Sequence, residues 1–273
     1  MKARDPGWKA HTRHESLDLR RAWERNAASF IAWARKPGFD SYWRFHRDQF
    51  FEIVPEPGRL TIDVGCGEGR LARDLAARGH RVVGLDASPT MIEHAREASP
   101  NLPWLVADAA ALPLHDARCD LVIAFMSLQD VDDLGGAVAE AGRVLERGGR
   151  FCLAIVHPIN SAGHFEDTED DSPFIIPRSY LDPFFYEDVV ERDGLTTTFA
   201  SIHRPLEAYV GALASAGFTV ELIREHAVPA DDAGTRRWQR IPMFLHVRAI
   251  RTTSGSRAAP TSGTGSAAGT SVG

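Results

Sequence analysis

Between residues 60 and 156, short β-branched runs alternate strictly with stretches whose apolar residues recur at helical spacing. Leu60 to Val64, Arg81 to Leu85, Trp104 to Ala107, Asp120 to Phe125 and Phe151 to Val156 read as strands. Arg70 to Arg78 reads as a helix, and Ser88-Pro89 supplies an N-cap and an N1 proline for a second, ending at Ala98. Leu134 to Leu145 gives a third, with Val138, Ala141, Val144 and Leu145 on one face and Gly148-Gly149 as its stop. Alternation of this kind leaves few folds open. It demands parallel strands joined by right-handed crossovers in a doubly wound α/β sheet.

The flanks break the pattern. Leu17 to Phe51 is helical and unusually aromatic, with Trp23, Phe30, Trp33, Tyr42 and Trp43 among its rings. His157 to Ile202 is acidic and aromatic at once, and Tyr186 to Glu191 should pair with Thr196 to Ile202 around Arg192-Asp193-Gly194. Pro205 to Ala216 returns to helix, and Phe218 to Arg224 and Phe244 to Ile250 read as closing strands. Of the last 22 residues, 252–273, 19 are Gly, Ser, Thr or Ala, too little apolar surface to offset ordering entropy. The expected division is an N-terminal helical lid or substrate segment (1–57), a core domain (58–251) carrying a cap insert (158–202), and a disordered tail (252–273).

Composition narrows the function. Of 273 residues 44% are apolar, which excludes fibrous and wholly disordered classes. Acids exceed bases, 37 − 31 = 6, so there is no global attraction for nucleic acid or anionic lipid. Residues 1–13 are charged and lack an apolar signal region, and the longest apolar run, Leu121 to Met126, is too short to cross a bilayer. The three cysteines, Cys66, Cys119 and Cys152, form no CxxC pair, which argues against disulfides or a zinc knuckle and for a reducing cytoplasm. No metal is expected: there is no His-x-x-x-His, and the acids at 166–171 lack the glycine spacing of a calcium loop.

The most specific stretch is Asp63-Val64-Gly65-Cys66-Gly67-Glu68-Gly69-Arg70, directly after the first strand and opening a helix. Glycines there let the chain turn tightly and let a ligand approach the backbone. A dinucleotide loop wants G-x-G-x-x-G, but Arg70 takes the last glycine position, and no Gly-Lys-Ser/Thr follows for a Walker loop. Asp86 ends the second strand, where an acid accepts hydrogen bonds from both hydroxyls of a ribose. Asp108-Ala109 ends the third, well placed for an adenine edge. Each acid alone would read as a cap or turn residue. Together they line one crevice.

Asp63-x-Gly65-Cys66-Gly67-x-Gly69, Leu85-Asp86-Ala87-Ser88-Pro89-x-Met91, Asp108-Ala109 and Val144-Leu145-x-x-Gly148-Gly149 resemble the successive motifs of class I S-adenosylmethionine-dependent methyltransferases. The resemblance is close over 58–157 and looser through His203-Arg204-Pro205-Leu206 and Ala216-Gly217-Phe218 to Arg251. It implies a Rossmann-like sheet of seven strands, the last antiparallel, and S-adenosylmethionine as cofactor. It also implies that the Gly65 region meets the methionine part, Asp86 the ribose hydroxyls and Asp108-Ala109 the adenine, with Asp63, Cys66, Gly67, Gly69 and Ala87 also in the cofactor site. Met91 would pack on the adenine, and Phe125 would line the pocket beside the sulfonium.

The acceptor is read by elimination. Amine methylation of adenine or of a protein glutamine amide uses Asn/Asp-Pro-Pro-Tyr/Phe after the fourth strand, where this chain has Phe125-Met126-Ser127-Leu128. No cysteine stands there for attack on a pyrimidine. Nucleic acid therefore gives way to a small organic molecule, methylated on O, N or C, with Trp33, Tyr42 and Met126 as candidate contacts. His157 is the first candidate base because it follows the fifth strand at the carboxyl edge, and His203 is the second. His226 and His246, in or beside the closing strands, read as structural. Two other readings stay open: a non-catalytic S-adenosyl-ligand-binding partner protein, and, less favoured, a nicotinamide-dependent oxidoreductase. Nothing in the sequence sets an oligomeric state.

Overall fold

The structure, a computed structural model, describes residues 8–10, 18–229 and 236–252; apart from Thr252, the expected tail lies outside them. β1 (Trp8–Ala10), α1 (Leu19–Arg35), a π-helical turn (Tyr42–His46) and α2 (Arg47–Phe51) precede the alternating core. The core runs β2 (Thr61–Val64), α3 (Arg70–Ala77), β3 (Val82–Asp86), α4 (Pro89–Ala98), β4 (Trp104–Val106), β5 (Cys119–Phe125), α5 (Leu134–Val144) and β6 (Leu145–Val156). Then come α6 (Pro158–Ala162), the short β7 (His164–Phe165) and β8 (Phe174–Ile175), and the long hairpin β9 (Phe184–Arg192) and β10 (Leu195–His203). α7 (Leu206–Ser215), β11 (Phe218–His226) and β12 (Phe244–Arg251) close the chain.

Seven strands form one sheet in the order β11-β12-β6-β5-β2-β3-β4, and β12 lies antiparallel to both of its neighbours. The strands from β2 to β6 pair in parallel, so both faces must be covered. Strand alternation divides β5 between two apolar layers. Leu121, Ile123 and Phe125 join Leu71, Leu75, Ile92 and Phe50 on one side. Val122 and Ala124 join Val138, Ala141 and Leu213 on the other. Among the described residues, no helix is long and apolar enough to cross a membrane.

Two local expectations change. α5 stops at Val144, not Leu145, because Leu145 is extended (φ −71°, ψ 140°) and pairs with Cys119 at the start of β6. Gly148-Gly149 therefore bends a strand instead of ending a helix. Gly148 has φ +81°, and a Cβ on Gly149 would lie 2.9 Å from the Glu146 carbonyl oxygen. The hairpin runs further than its apolar pattern suggests, with Arg192 opposite Leu195 and only Asp193-Gly194 between them. Their φ values, +48° and +76°, are those of a type I′ turn, which matches the right-handed twist of the strands. β1 pairs with β9 and makes this a three-stranded sheet.

α1 binds that second sheet to the core. Trp23 Nε1–H donates to the Ala200 carbonyl (2.9 Å), and Asn26 Nδ2–H donates to the Thr198 carbonyl (3.2 Å). The rings of Trp23, Phe30 and Phe199 meet edge to face. In the same apolar cluster as Trp23 and Phe30, Ile31 packs with Met91 of α4. The aromatic helix thus bridges the carboxyl edge of the main sheet and the hairpin.

Candidate functional site

A cavity of about 920 Å³ opens at the carboxyl ends of β2, β3 and β5, between those strand ends, α1 and the β9–β10 hairpin. The glycine loop forms one wall. Gly65, Gly67 and Gly69 all have positive φ (+71°, +55° and +84°), so the loop needs residues without a Cβ penalty. A Cβ on Gly65 would sit 2.3 Å from Ser127 Cβ, because Ser127 Oγ–H donates to the Val64 carbonyl (2.7 Å) and draws the two loops together. A Cβ on Gly69 would meet the Trp104 ring at 2.5 Å; this glycine serves packing behind the loop and does not line the cavity.

Two carboxylates converge on the loop. Asp86 accepts from the backbone N–H of Gly67 (2.8 Å) through Oδ2 and of Ser88 (2.9 Å) through Oδ1. Each of its oxygens keeps a second lone pair. Asp63 is 1% exposed, and its Oδ2 is buried without a hydrogen-bond partner. Burial, and then the charge of Asp86, push the Asp63 carboxyl up to about 7. Asp86 is also raised, by burial first, against the pull of its backbone donors. Such a pair is short of positive charge.

Cys66, Ala87, Met91, Asp108, Ala109 and Phe125 line the same cavity, as do Trp33 and Met126. Met91 is 3% exposed at the start of α4, with its N–H on Ser88 Oγ (3.1 Å). Asp108 accepts from the Ala110 N–H (2.8 Å). Phe125 is packed by Tyr42, His46 and Phe50 at ring distances of 4.6–5.6 Å. Met126 takes φ +55°, an uncommon conformation for a side-chain-bearing residue at a strand end.

Tyr42, His157 and His203 are not among the lining residues. Tyr42 is 1% exposed, its hydroxyl donates to Asp74 (2.7 Å), and the Arg70 guanidinium covers its ring at 4.5 Å. His157 caps α6: its Nδ1 accepts from the Ile159 N–H (3.1 Å) and its Nε2 meets Glu225 (2.9 Å). His203 is fully buried, with Nδ1 on Ser161 Oγ (2.8 Å), Nε2 on the Tyr180 carbonyl (2.9 Å) and its ring stacked on Phe184. Both histidines spend both nitrogens on local structure, and that placement does not support either as a base. His157→Ala is expected to cost about 1 kcal/mol of stability, the usual worth of a helix cap, without changing ligand affinity. Thermal denaturation and calorimetry check this; weakened ligand binding would return His157 to the site.

Several cavity residues carried no signal in the sequence. Asp130 accepts from Ser201 Oγ (2.6 Å) and Gln129 Nε2 (3.2 Å), and burial holds its carboxyl well above the usual range. His46 enters from the π-helical turn, and Tyr186 and Arg192 from the hairpin. Asp130 lies a few residues past a strand end, so position could have suggested it. His46 and the hairpin residues could not be found that way, because tertiary packing alone brings them to the strand ends. Among the described residues no group of three or more His, Cys, Asp or Glu is arranged to hold a metal ion.

Residues 62–153 match the family described as methyltransferase domain. Over 124 residues the chain is 36% identical to the ubiquinone/menaquinone biosynthesis C-methyltransferase UbiE of Caulobacter sp. (strain K31), covering 40% of this chain and 49% of that protein. Over 114 residues it is 34% identical to the malonyl-[acyl-carrier protein] O-methyltransferase of Serratia marcescens, covering 42% and 43%. The chain thus spans about half the length of the curated relatives it matches. Among solved structures, an S-adenosylmethionine-dependent methyltransferase from Mesorhizobium loti superposes with a TM-score of 0.63 at 27% identity, covering 78% of this chain and 98% of the other.

Proposed function

The chain belongs to the class I S-adenosylmethionine-dependent methyltransferases, and on that premise we propose that it methylates a small organic molecule in the cytoplasm. The observation that carries the reading is the buried acid pair at the glycine loop. Asp63 and Asp86 stand together there beside an aromatic wall, with one carboxylate oxygen buried and unpartnered. A sulfonium compound that also bears an ammonium group supplies the missing charge.

The residues fit the cofactor part by part. The backbone at Gly65 and Gly67 and the Asp63 carboxylate would hold the methionine part, and the free lone pairs of Asp86 would take the ribose hydroxyls. Ala87, Met91, Asp108 and Ala109 would bound the adenine, and Cys66 and Phe125 would flank the sulfur. When bound, the cofactor supplies an electrophilic methyl group. The chain's own contribution is to orient an acceptor towards it and exclude water, and orientation alone is worth several kcal/mol of barrier. The cavity, about 920 Å³, is large enough to hold an acceptor beside the cofactor, with Trp33 and Met126 on its wall. The N-terminal segment and the 158–202 insert act as its lid, and the three buried free cysteines suit a reducing compartment.

Calorimetry with S-adenosylmethionine, S-adenosylhomocysteine and NAD tests the cofactor. Both S-adenosyl ligands are expected to bind, and NAD is not. Affinity for the cationic S-adenosylmethionine should rise as pH rises through about 7, because Asp63 then loses its proton and gains the charge that attracts the ligand. NAD binding without S-adenosyl binding, or affinity indifferent to pH over this range, counts against the assignment. Transfer of a radiolabelled methyl group to small molecules of a cell extract separates an enzyme from a non-catalytic S-adenosyl-ligand-binding partner.

A further inference from the structure

Three imidazoles form a row that begins on the cavity wall. His46, 1% exposed on the π-helical turn, lines the cavity with its ring 4.6 Å from Phe125 and stacked on Phe244 at 3.7 Å. Its Nε2 lies 2.8 Å from Nε2 of His246 on β12. The His246 ring in turn lies 4.3 Å from the ring of His226 on β11. His226 is half-buried, and Glu52 and Arg224 bear on it where the row nears the surface.

Hydrogen-bond arithmetic orders the protons. Two ring nitrogens at 2.8 Å share one proton between them. The Gln49 backbone carbonyl bears on the His246 ring; with His246 Nε2 taken by His46, the proton that would answer this carbonyl is one on Nδ1. His246 Nε2 is then the acceptor, His46 Nε2 the donor, and His46 Nδ1 keeps its lone pair. Burial first, then the charges of His246, Arg70 and His226, push the His46 imidazole well below its ordinary range. Further along, His246 Nδ1 and His226 Nε2 are buried without a hydrogen-bond partner, which is uncommon for buried polar atoms.

The geometry points to His46 as the general base towards the methyl acceptor, with His246 as the positioning residue that sets its tautomer. The acceptor it fits is a weakly acidic O–H, a phenol or an enol; an amine already offers its lone pair. This inference rests on the methyl-transfer reading. The acceptor proton passes to His46 Nδ1, its oxygen keeps the electron pair that forms the new O–CH₃ bond, and the pair of the broken C–S bond stays on sulfur. As the imidazolium forms, the sulfonium charge disappears. One buried cation replaces another, which offsets the cost of charging a desolvated ring.

The test uses the full chain labelled with ¹⁵N-histidine, saturated with S-adenosylhomocysteine and titrated with 4-nitrophenol as the probe phenol. His46 is expected to carry its proton on Nε2, and 4-nitrophenol to shift the His46 Nδ1 resonance. In His246→Phe, or in His246→Asn where the first does not fold, the His46 proton should redistribute between its two nitrogens. Methyl transfer to 4-nitrophenol from S-adenosylmethionine should fall at least about 10²-fold in His46→Gln. A proton on His46 Nδ1, or a His46 resonance indifferent to 4-nitrophenol, overturns the proposal. Calorimetry on the same samples separates the two possible failures. Intact S-adenosylhomocysteine binding with an indifferent His46 removes the base alone, whereas absent binding removes the methyl-transfer reading beneath it.

Discussion

Asp86→Ala is expected to weaken S-adenosylhomocysteine binding by about two to three orders of magnitude. Two effects add. On the proposed placement, the ribose hydroxyls would lose a charged acceptor, worth about 1.5–3 kcal/mol for each hydrogen bond. The N–H groups of Gly67 and Ser88 lose the carboxylate that orders the loop around them, at 2.8 and 2.9 Å. A total near 3–4 kcal/mol corresponds to about 10²–10³ in Kd. Asp86→Asn keeps the shape and one acceptor oxygen, so it should fall between alanine and the parent. Calorimetry decides the matter, and an alanine variant within about threefold of the parent would remove Asp86 from the cofactor site.

Gly65→Ala should damage the fold as well as the site. The new methyl would stand 2.3 Å from Ser127 Cβ, and the backbone there sits at φ +71°. The left-handed conformation costs a side-chain-bearing residue about 1–2 kcal/mol, and overpacking costs about 1–3 more. For a chain of this size that is a fall in Tm of roughly 5–15 °C. Ser127→Gly in the same chain should relieve the clash and leave the backbone strain, so the double variant should recover part of the loss. Scanning thermal denaturation reads both. An alanine variant as stable as the parent would mean that the loop does not hold this conformation.

The main sheet was legible because a parallel sheet buries both faces and leaves repeating apolar runs in the sequence. β2, β3, β5 and the helices between them follow that pattern. The glycine loop was legible for the same local reason: positive φ at Gly65, Gly67 and Gly69 requires the residue itself. The end of α5 was not, because Leu145 has the propensity to continue the helix and is taken from it by pairing with Cys119 on another strand. His157 shows the limit of arguing from position. It does follow the fifth strand at the carboxyl edge, but its ring turns to cap α6 and meet Glu225 on β11.

The chain's own order of residues therefore determined the α/β sheet, the glycine loop and the acids at the strand ends. Each of these depends on periodicity or on backbone conformation within a few residues. Tertiary structure decided what stands opposite them. Trp23 reaches Ala200 across 177 positions, and His46 meets His246 across 200. No local pattern encodes such a contact, because a side chain's direction at the cavity depends on how whole elements pack. For the same reason the imidazoles at 157 and 203 turn to local partners outside the cavity lining, and the imidazole on the cavity wall comes from a helical turn ahead of the core.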